Sequence, residues 1–269
     1  MPSLLGVAIF YVIPYLDVLR RSFMTSSGVR FAGMDNFVKV AENPAFHLAI
    51  RNSFLFMAIC IPLLLAISLG VALVIYDNTR IGAYIKTGLL LPMAIPVAAV
   101  VVVWRVLFDN SGLLNAMMNY VGADAVDWMN SNHAFAVLII SYIWKNLGYN
   151  VVLWLAGLSI IPVSLYEAAQ LDRAGWWATF IHITIPEIKP MAAIISVLAI
   201  INSFKVFREA YLVAGDYPHE SMYMVQHLFN NWFRDLALDK MAAGAVLISI
   251  VLIFLVFVLQ RAWGDINEK

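Results

Sequence analysis

Residues 52–76 read NSFLFMAICIPLLLAISLGVALVIY, from Asn52 to Tyr76 without one charged side chain. A helix needs about 20 mostly apolar residues to cross a bilayer, so this run alone is long enough. Its apolar residues do not alternate with polar ones at period two, which argues for a spanning helix and against a barrel strand. Two further runs, Thr87 to Trp104 and Met241 to Gln260, are equally free of charge. Ala134 to Leu158 is interrupted only by Lys145, and Pro190 to Phe204 is apolar with flanks that add length. Met1 to Leu16 is a sixth and shorter run, closed by Asp17 and the pair Arg20–Arg21. It has neither the basic n-region nor the small-residue cleavage site of a signal peptide, so it is counted as a span. The hydrophobic run follows Met1 with no basic residues ahead of it, as a shortened or misassigned start would read. The expectation is an all-α integral membrane protein of six transmembrane helices.

Composition agrees. Of 269 residues 62% are apolar and only 13% charged, about half the charge of an ordinary soluble domain. Mean hydropathy is +0.83. The 17 basic and 17 acidic residues cancel, which removes the electrostatic footprint of a nucleic-acid binder. Cys60 is the single cysteine, so an intrachain disulfide and a cysteine metal cluster are both excluded.

The connectors differ in character. Residues 25–49 are polar, 77–86 form a short link of the kind that joins antiparallel helices, and 109–133 carry three aspartates. Residues 207–240 read as the last long loop, with four acids between Asp216 and Asp239. No tandem repeat or interdomain linker stands out, so residues 1–269 are expected to form one membrane-embedded domain.

The chemical inventory is sparse. The five histidines, His47, His133, His182, His219 and His227, fall in loops or at span ends. None forms the HExxH pair of a zinc hydrolase. His219 and His227 read as loop residues, not ligands. Neither GxxxxGK[ST] nor GxGxxG occurs, so the chain has no phosphate-cradling loop with which to split ATP. Apart from Asp17 and Glu187, every acid reads as a loop residue, whereas ion-coupled carriers keep carboxylates within the membrane. An ion-coupled secondary carrier and a non-transporting membrane subunit both remain open readings.

One connector stands apart. It runs Ser164-Leu-Tyr-Glu167-Ala168-Ala169-Gln-Leu-Asp172-Arg173-Ala174-Gly175, followed by Phe180, Ile183, Pro186 and Pro190. Ser164 and Glu167 have the spacing of a capping box. Pro162 stands just ahead of the helix, Gly175 permits a turn after it, and Pro186 is expected to start the next span. By spacing alone this is equally a plain helical connector.

These residues resemble the signature of permease subunits of ABC-type importers, which reads E-A-A, D-G-A, then Phe, Ile and L-P. Glu167, Ala168, Ala169, Asp172, Ala174, Phe180, Ile183 and Pro186 occupy the matching positions. Arg173 stands where the family usually has Gly, and Ile185 replaces Leu; the left-handed turn is then expected at Gly175. Gly33-Met-Asp-Asn-Phe37, Gly148-Tyr-Asn150 through Pro162, and Phe204-Lys-Val-Phe207 through Val213 extend the resemblance to carbohydrate importers, on the MalF-like side.

The resemblance implies a type I importer permease fold with a cytoplasmic coupling loop at about 159–184. Glu167, Ala168, Ala169, Asp172, Ala174, Gly175 and Pro186 are its candidate ATPase-coupling residues. It implies as partners a second, MalG-like permease, two ATP-binding cassette subunits, an extracellular solute-binding protein, a sugar and the lipid of a bacterial or archaeal cell membrane. The chain itself would be no enzyme and carry no cofactor, ATP and Mg being bound by the ATPase subunits. The resemblance also puts 77–86, 159–184 and the C-terminus in the cytoplasm. The positive-inside rule does not reproduce that: Arg80, Lys86, Arg173, Lys189, Arg261 and Lys269 would lie inside. Arg20, Arg21, Arg30, Lys39, Arg51, Arg208, Arg234 and Lys240 would lie outside.

For a substrate path, Tyr142, Lys145, Asn146 and Tyr149 recur at i, i+3, i+4, i+7 and share one helical face. Amides and hydroxyls suit sugar hydroxyls, and aromatic rings cover their apolar faces. Asn202 and Lys205 on the fifth span are further candidates. The same stripe also suits a packing face, with Lys145 reaching out to a loop. Trp144, Trp154 and the methionines read as packing or lipid contacts.

Overall fold

The computed structural model describes residues 2–77 and 88–264. Most of the expected 77–86 link, with Arg80 and Lys86, and the tail with Lys269 lie outside the described residues, as do Met1 and Thr87. Among the described residues there is no strand, only an isolated bridge between Met24 and Phe31. Six helical stretches among the described residues are long and apolar enough to cross a membrane: Ser3–Ser22, Pro44–Tyr76, Val97–Tyr120, His133–Ile160, Trp176–Tyr211 and Leu238–Leu259.

Helix continues into the flanks of the charge-free cores except in the third: the run from Thr87 to Trp104, expected as one span, is broken at Pro96, and the span is Val97–Tyr120 instead. At the N-terminus α1 (Pro2–Val7) leads through a π-turn, Ala8–Val12, into α2 (Ile13–Ser22). After α3 (Asp35–Ala41) comes α4 (Pro44–Asp77). At about 1.5 Å per residue α4 is longer than the roughly 30 Å hydrocarbon layer. Residues 88–94 are helical, and Pro96 in an extended conformation separates them from α5 (Val97–Phe108) and α6 (Leu113–Tyr120). The fourth span is α7 (His133–Leu158). Then come α8 (Val163–Leu171), α9 (Trp176–Thr179), a π-turn at Phe180–Thr184, and α10 (Ile185–Ser203). A 3-10 turn joins α10 to α11 (Phe207–Ala214), and α12 (Val225–Arg234) precedes α13 (Leu238–Gly264).

Two more expectations change here. The fifth span does not start at Pro186 but at Trp176, and Pro186 sits inside a continuous helical path. Proline lacks an N–H and its ring collides with the carbonyl four residues back. The preceding turn is widened to π geometry, with the Ile185 N–H donating to the Phe180 carbonyl, so the helix continues past the proline. The first span repeats the device: the Ile13 N–H donates to the Ala8 carbonyl, and Pro14 follows. Second, the 207–240 loop is largely helical, and α11 prolongs the fifth span so that Glu209 is not a loop acid.

The chain divides into two compact units. One comprises Met1–Ser53 with Asp216–Val258. Its core joins Phe37 and Val40 of α3, Phe46 and Ala49 of α4, Leu228 and Trp232 of α12, and Ala243 and Val246 of α13. Asn52 ties α4 to the 220–223 turn, its amide donating to the carbonyls of Glu220 (2.6 Å) and Tyr223 (3.0 Å). The other unit comprises Phe54–Gly215 with Leu259–Lys269. There Ala72 and Ile75 of α4, Val151, Trp154 and Leu158 of α7, and Ile188, Ala192 and Ile195 of α10 form the core.

Hydrogen bonds between polar side chains and to helix carbonyls tie spans of this unit together, as a lipid solvent favours. The Trp154 indole donates to Ser68 Oγ (2.9 Å), which donates in turn to the Leu64 carbonyl (2.6 Å). Outward faces stay apolar: Ile253 is 67% exposed, which water would penalise and lipid would not.

Candidate functional site

Two places in the second unit gather the residues singled out by sequence: a cavity against α7, and the loop between α7 and α10. The cavity, about 140 Å³, is lined by Tyr142, Lys145 and Asn146 of α7, by Asn202 at the end of α10 and by Lys205. Arg208 and Glu209 of α11 complete its polar wall. Helical spacing puts Tyr142, Lys145 and Asn146 on one face, and Tyr142 fastens that face to α10 by donating to the Ala199 carbonyl (2.7 Å). The Tyr142 hydroxyl is thus engaged in helix packing, and the ring alone borders the cavity. Tyr149, the fourth member of the stripe, is not among the lining residues.

Lys145 does not reach out to a loop. Its ammonium forms a salt bridge with Glu209 Oε1. The Glu209 side chain is only 7% exposed and Lys145 22%, a degree of desolvation at which each charge depends on the other. The second oxygen, Glu209 Oε2, is buried without a hydrogen-bond partner. A buried carboxylate within an apolar span therefore exists, contrary to the reading that placed these acids in loops. Lys205 donates to Asn202 Oδ1 (2.7 Å), and Asn146 donates to the Tyr142 carbonyl (2.8 Å). Arg208 and Glu209 are the site residues that sequence reasoning missed. The apolar run of the fifth span continues through Val206 and Phe207, and that continuity was the available signal.

In the connecting loop, α8 starts directly after Pro162, which serves as N-cap with an extended backbone and no side-chain cap hydrogen bond. Ser164 is thus already the second helical residue, and the expected Ser164–Glu167 capping box does not form. The helix ends in a Schellman motif: the Ala174 N–H donates to the Ala169 carbonyl (2.9 Å) and the Arg173 N–H to the Gln170 carbonyl (3.1 Å). The residue in the left-handed region is Arg173, with φ 53°. Gly175 does not make that turn; its φ is −71° and ψ 162°, ordinary extended backbone at the start of α9. The 5→2 and 6→1 hydrogen bonds hold Arg173 in a conformation that costs a non-glycine residue about 1–2 kcal/mol.

Glu167, Ala168, Asp172, Ala174 and Gly175 are exposed together, while Ala169 is buried. Beside them Leu171 is 85% and Trp177 69% exposed. Tyr166 shares a hydrogen bond with Thr184 Oγ1 (3.1 Å), which pins α8 to the π-turn ahead of Pro186. The loop is thereby joined to the fifth span, the element that carries Asn202, Lys205 and Glu209.

The sequence profile described as "Binding-protein-dependent transport system inner membrane component" matches residues 46–264. The arabinooligosaccharides transport system permease protein AraP of Bacillus subtilis (strain 168) is 30% identical over 272 residues, covering 96% of this chain and 84% of that protein. The trehalose/maltose transport system permease protein MalF of Thermococcus litoralis is 27% identical over 242 residues, covering 87% and 81%. Among solved structures, a bacterial ABC transporter involved in the import of the acidic polysaccharide alginate contains a chain with the same fold. Its TM-score is 0.85 at 22% identity, with 100% of this chain and 94% of that one covered. The chain belongs to the family of binding-protein-dependent transport system inner membrane components.

Proposed function

We propose that this chain is the permease subunit through which a sugar or oligosaccharide crosses the cytoplasmic membrane of a bacterium or archaeon. The whole chain acts as one permease domain. An extracellular solute-binding protein delivers the substrate, a second, MalG-like permease completes the path, and two ATPase subunits bind ATP and Mg and drive the cycle. The observation that carries this reading is the polar cavity enclosed by apolar spans, with Asn146, Asn202 and Lys205 on its wall. The carbohydrate relatives agree with it.

The exposed Glu167 helix is the coupling element, seated on an ATPase subunit with Ala168, Asp172, Ala174 and Gly175 around it. Exposed Leu171 beside a carboxylate suits a protein partner better than water. Tyr166 and Thr184 carry the motion into the fifth span.

Two variants test the two halves. Glu167→Lys should leave the protein inserted but abolish uptake or shed the ATPase. Asn146→Ala should impair uptake with the ATPase still bound. Membrane quantity, ATPase co-purification and sugar uptake are measured on the same preparations. Full uptake with bound ATPase in Glu167→Lys reduces the loop to a connector, and normal kinetics in Asn146→Ala returns the α7 stripe to packing.

A further inference from the structure

We infer that the substrate carries a fixed negative charge: a saccharide bearing a carboxylate or sulfonate beside its hydroxyls. This rests on reading the α7 cavity as the substrate path. The wall holds three cations, Lys145, Lys205 and Arg208, against one carboxylate, Glu209. Glu209 is engaged by Lys145. The partner of Lys205 is the neutral amide of Asn202, and Arg208 forms no ion pair among the described residues. Two positive charges therefore border the cavity without an opposite charge, on a segment flanked by apolar helix.

Both side chains are exposed and so open to a ligand, and a cleft with an excess of one charge sign attracts a counter-charge. A neutral sugar supplies none, whereas an oxyanion does. The Arg208 guanidinium offers the forked donors that match a carboxylate or sulfonate, and Lys205 adds a point charge one helical turn away. The cavity of about 140 Å³ is roughly ten times what one water requires, the scale of a sugar ring. The Lys145–Glu209 pair engages the one carboxylate of the wall, so that it does not compete with the ligand's anion for Arg208.

The test uses the complete importer with its binding protein in proteoliposomes, offered matched pairs. One pair is a uronate disaccharide and its methyl ester; the other is a sulfonated hexoside and its parent hexoside. The charged members should be taken up at least about tenfold faster, the factor expected from one charge-assisted contact. Which of the two charged members is transported identifies the oxyanion. Arg208→Gln should slow uptake of the charged member about tenfold while the affinity of the isolated binding protein is unchanged. Neutral members transported as well as charged ones, no charged member transported, or an indifferent Arg208→Gln would each overturn the anionic class. Asn146→Ala separates this from failure of the path itself. If it still impairs uptake, only the charge inference falls; if uptake is normal, the cavity is not the path.

Discussion

Lys145 and Glu209, 64 residues apart in sequence, meet as a salt bridge between the fourth span and the helix that prolongs the fifth. The contact joins two elements that must keep their relation if the cavity between them is to keep its shape. Lys145 alone reads as an anomaly in an apolar run; with Glu209 it becomes half of a neutral unit.

Breaking that pair from one side strands a buried charge. Lys145→Met or Glu209→Met alone should destabilise the protein by of order 3 kcal/mol. The double variant should recover most of the loss, because no charge is then left unpaired. Thermal unfolding in detergent, run as a double-mutant cycle, measures the coupling. Additive losses would show that the pair contributes nothing beyond its separate side chains.

Arg173 supplies the second prediction. It occupies the left-handed position of the Schellman motif, so Arg173→Gly should relieve strain and stabilise the loop by about 0.5–1 kcal/mol. Gly175 has an extended backbone and open space where a Cβ would be, so Gly175→Ala should change stability by less than about 0.5 kcal/mol. Melting temperatures of both variants decide the matter. A large loss at Gly175 with no gain at Arg173 would reverse which residue makes the turn.

Gly148 on α7 permits a close approach. A Cβ there would overlap the backbone carbonyl of Leu89 and touch the Leu90 nitrogen, and backbone cannot step aside as a side chain can. Gly148→Ala should therefore destabilise by about 1–3 kcal/mol and reduce the amount of protein recovered from membranes. Gly70→Ala is the control, since nothing lies within 4 Å of where its Cβ would stand. Equal recovery of the two variants would contradict the close approach.

His227 makes the first unit sensitive to acid. It is fully buried, and its Nδ1 accepts from the Met224 N–H (3.2 Å). Burial pushes its pKa from 6.5 down to about 4, against the opposing pull of Asp216. Above pH 6.5 both folded and unfolded forms are neutral and the group is indifferent. Between 6.5 and 4 the unfolded chain takes up a proton that the folded one refuses, so stability falls with pH, by about 3 kcal/mol in all, and levels off below 4. His227→Gln should flatten this slope in unfolding measured from pH 7 to 4. An unchanged slope would assign the acid sensitivity to other groups.

The membrane class and the number of spans were written in the sequence because lipid acts on composition: a run such as Asn52–Tyr76 has no other stable environment. The motif in the 159–184 connector was equally legible, since Glu167, Ala168, Ala169 and Asp172 are neighbours along the chain. What sequence could not decide was set by distant partners and backbone geometry. Glu209 read as a loop acid because the lysine that neutralises it lies on another helix. The turn was expected at Gly175 on intrinsic preference, yet two hydrogen bonds from the end of α8 fix it at Arg173. Pro186 read as a helix start until a widened turn let the helix pass it. At Arg173 and Pro186 backbone hydrogen bonding overrode a residue preference worth about 1–3 kcal/mol, whereas Glu209 was decided by a tertiary contact, the lysine of another span.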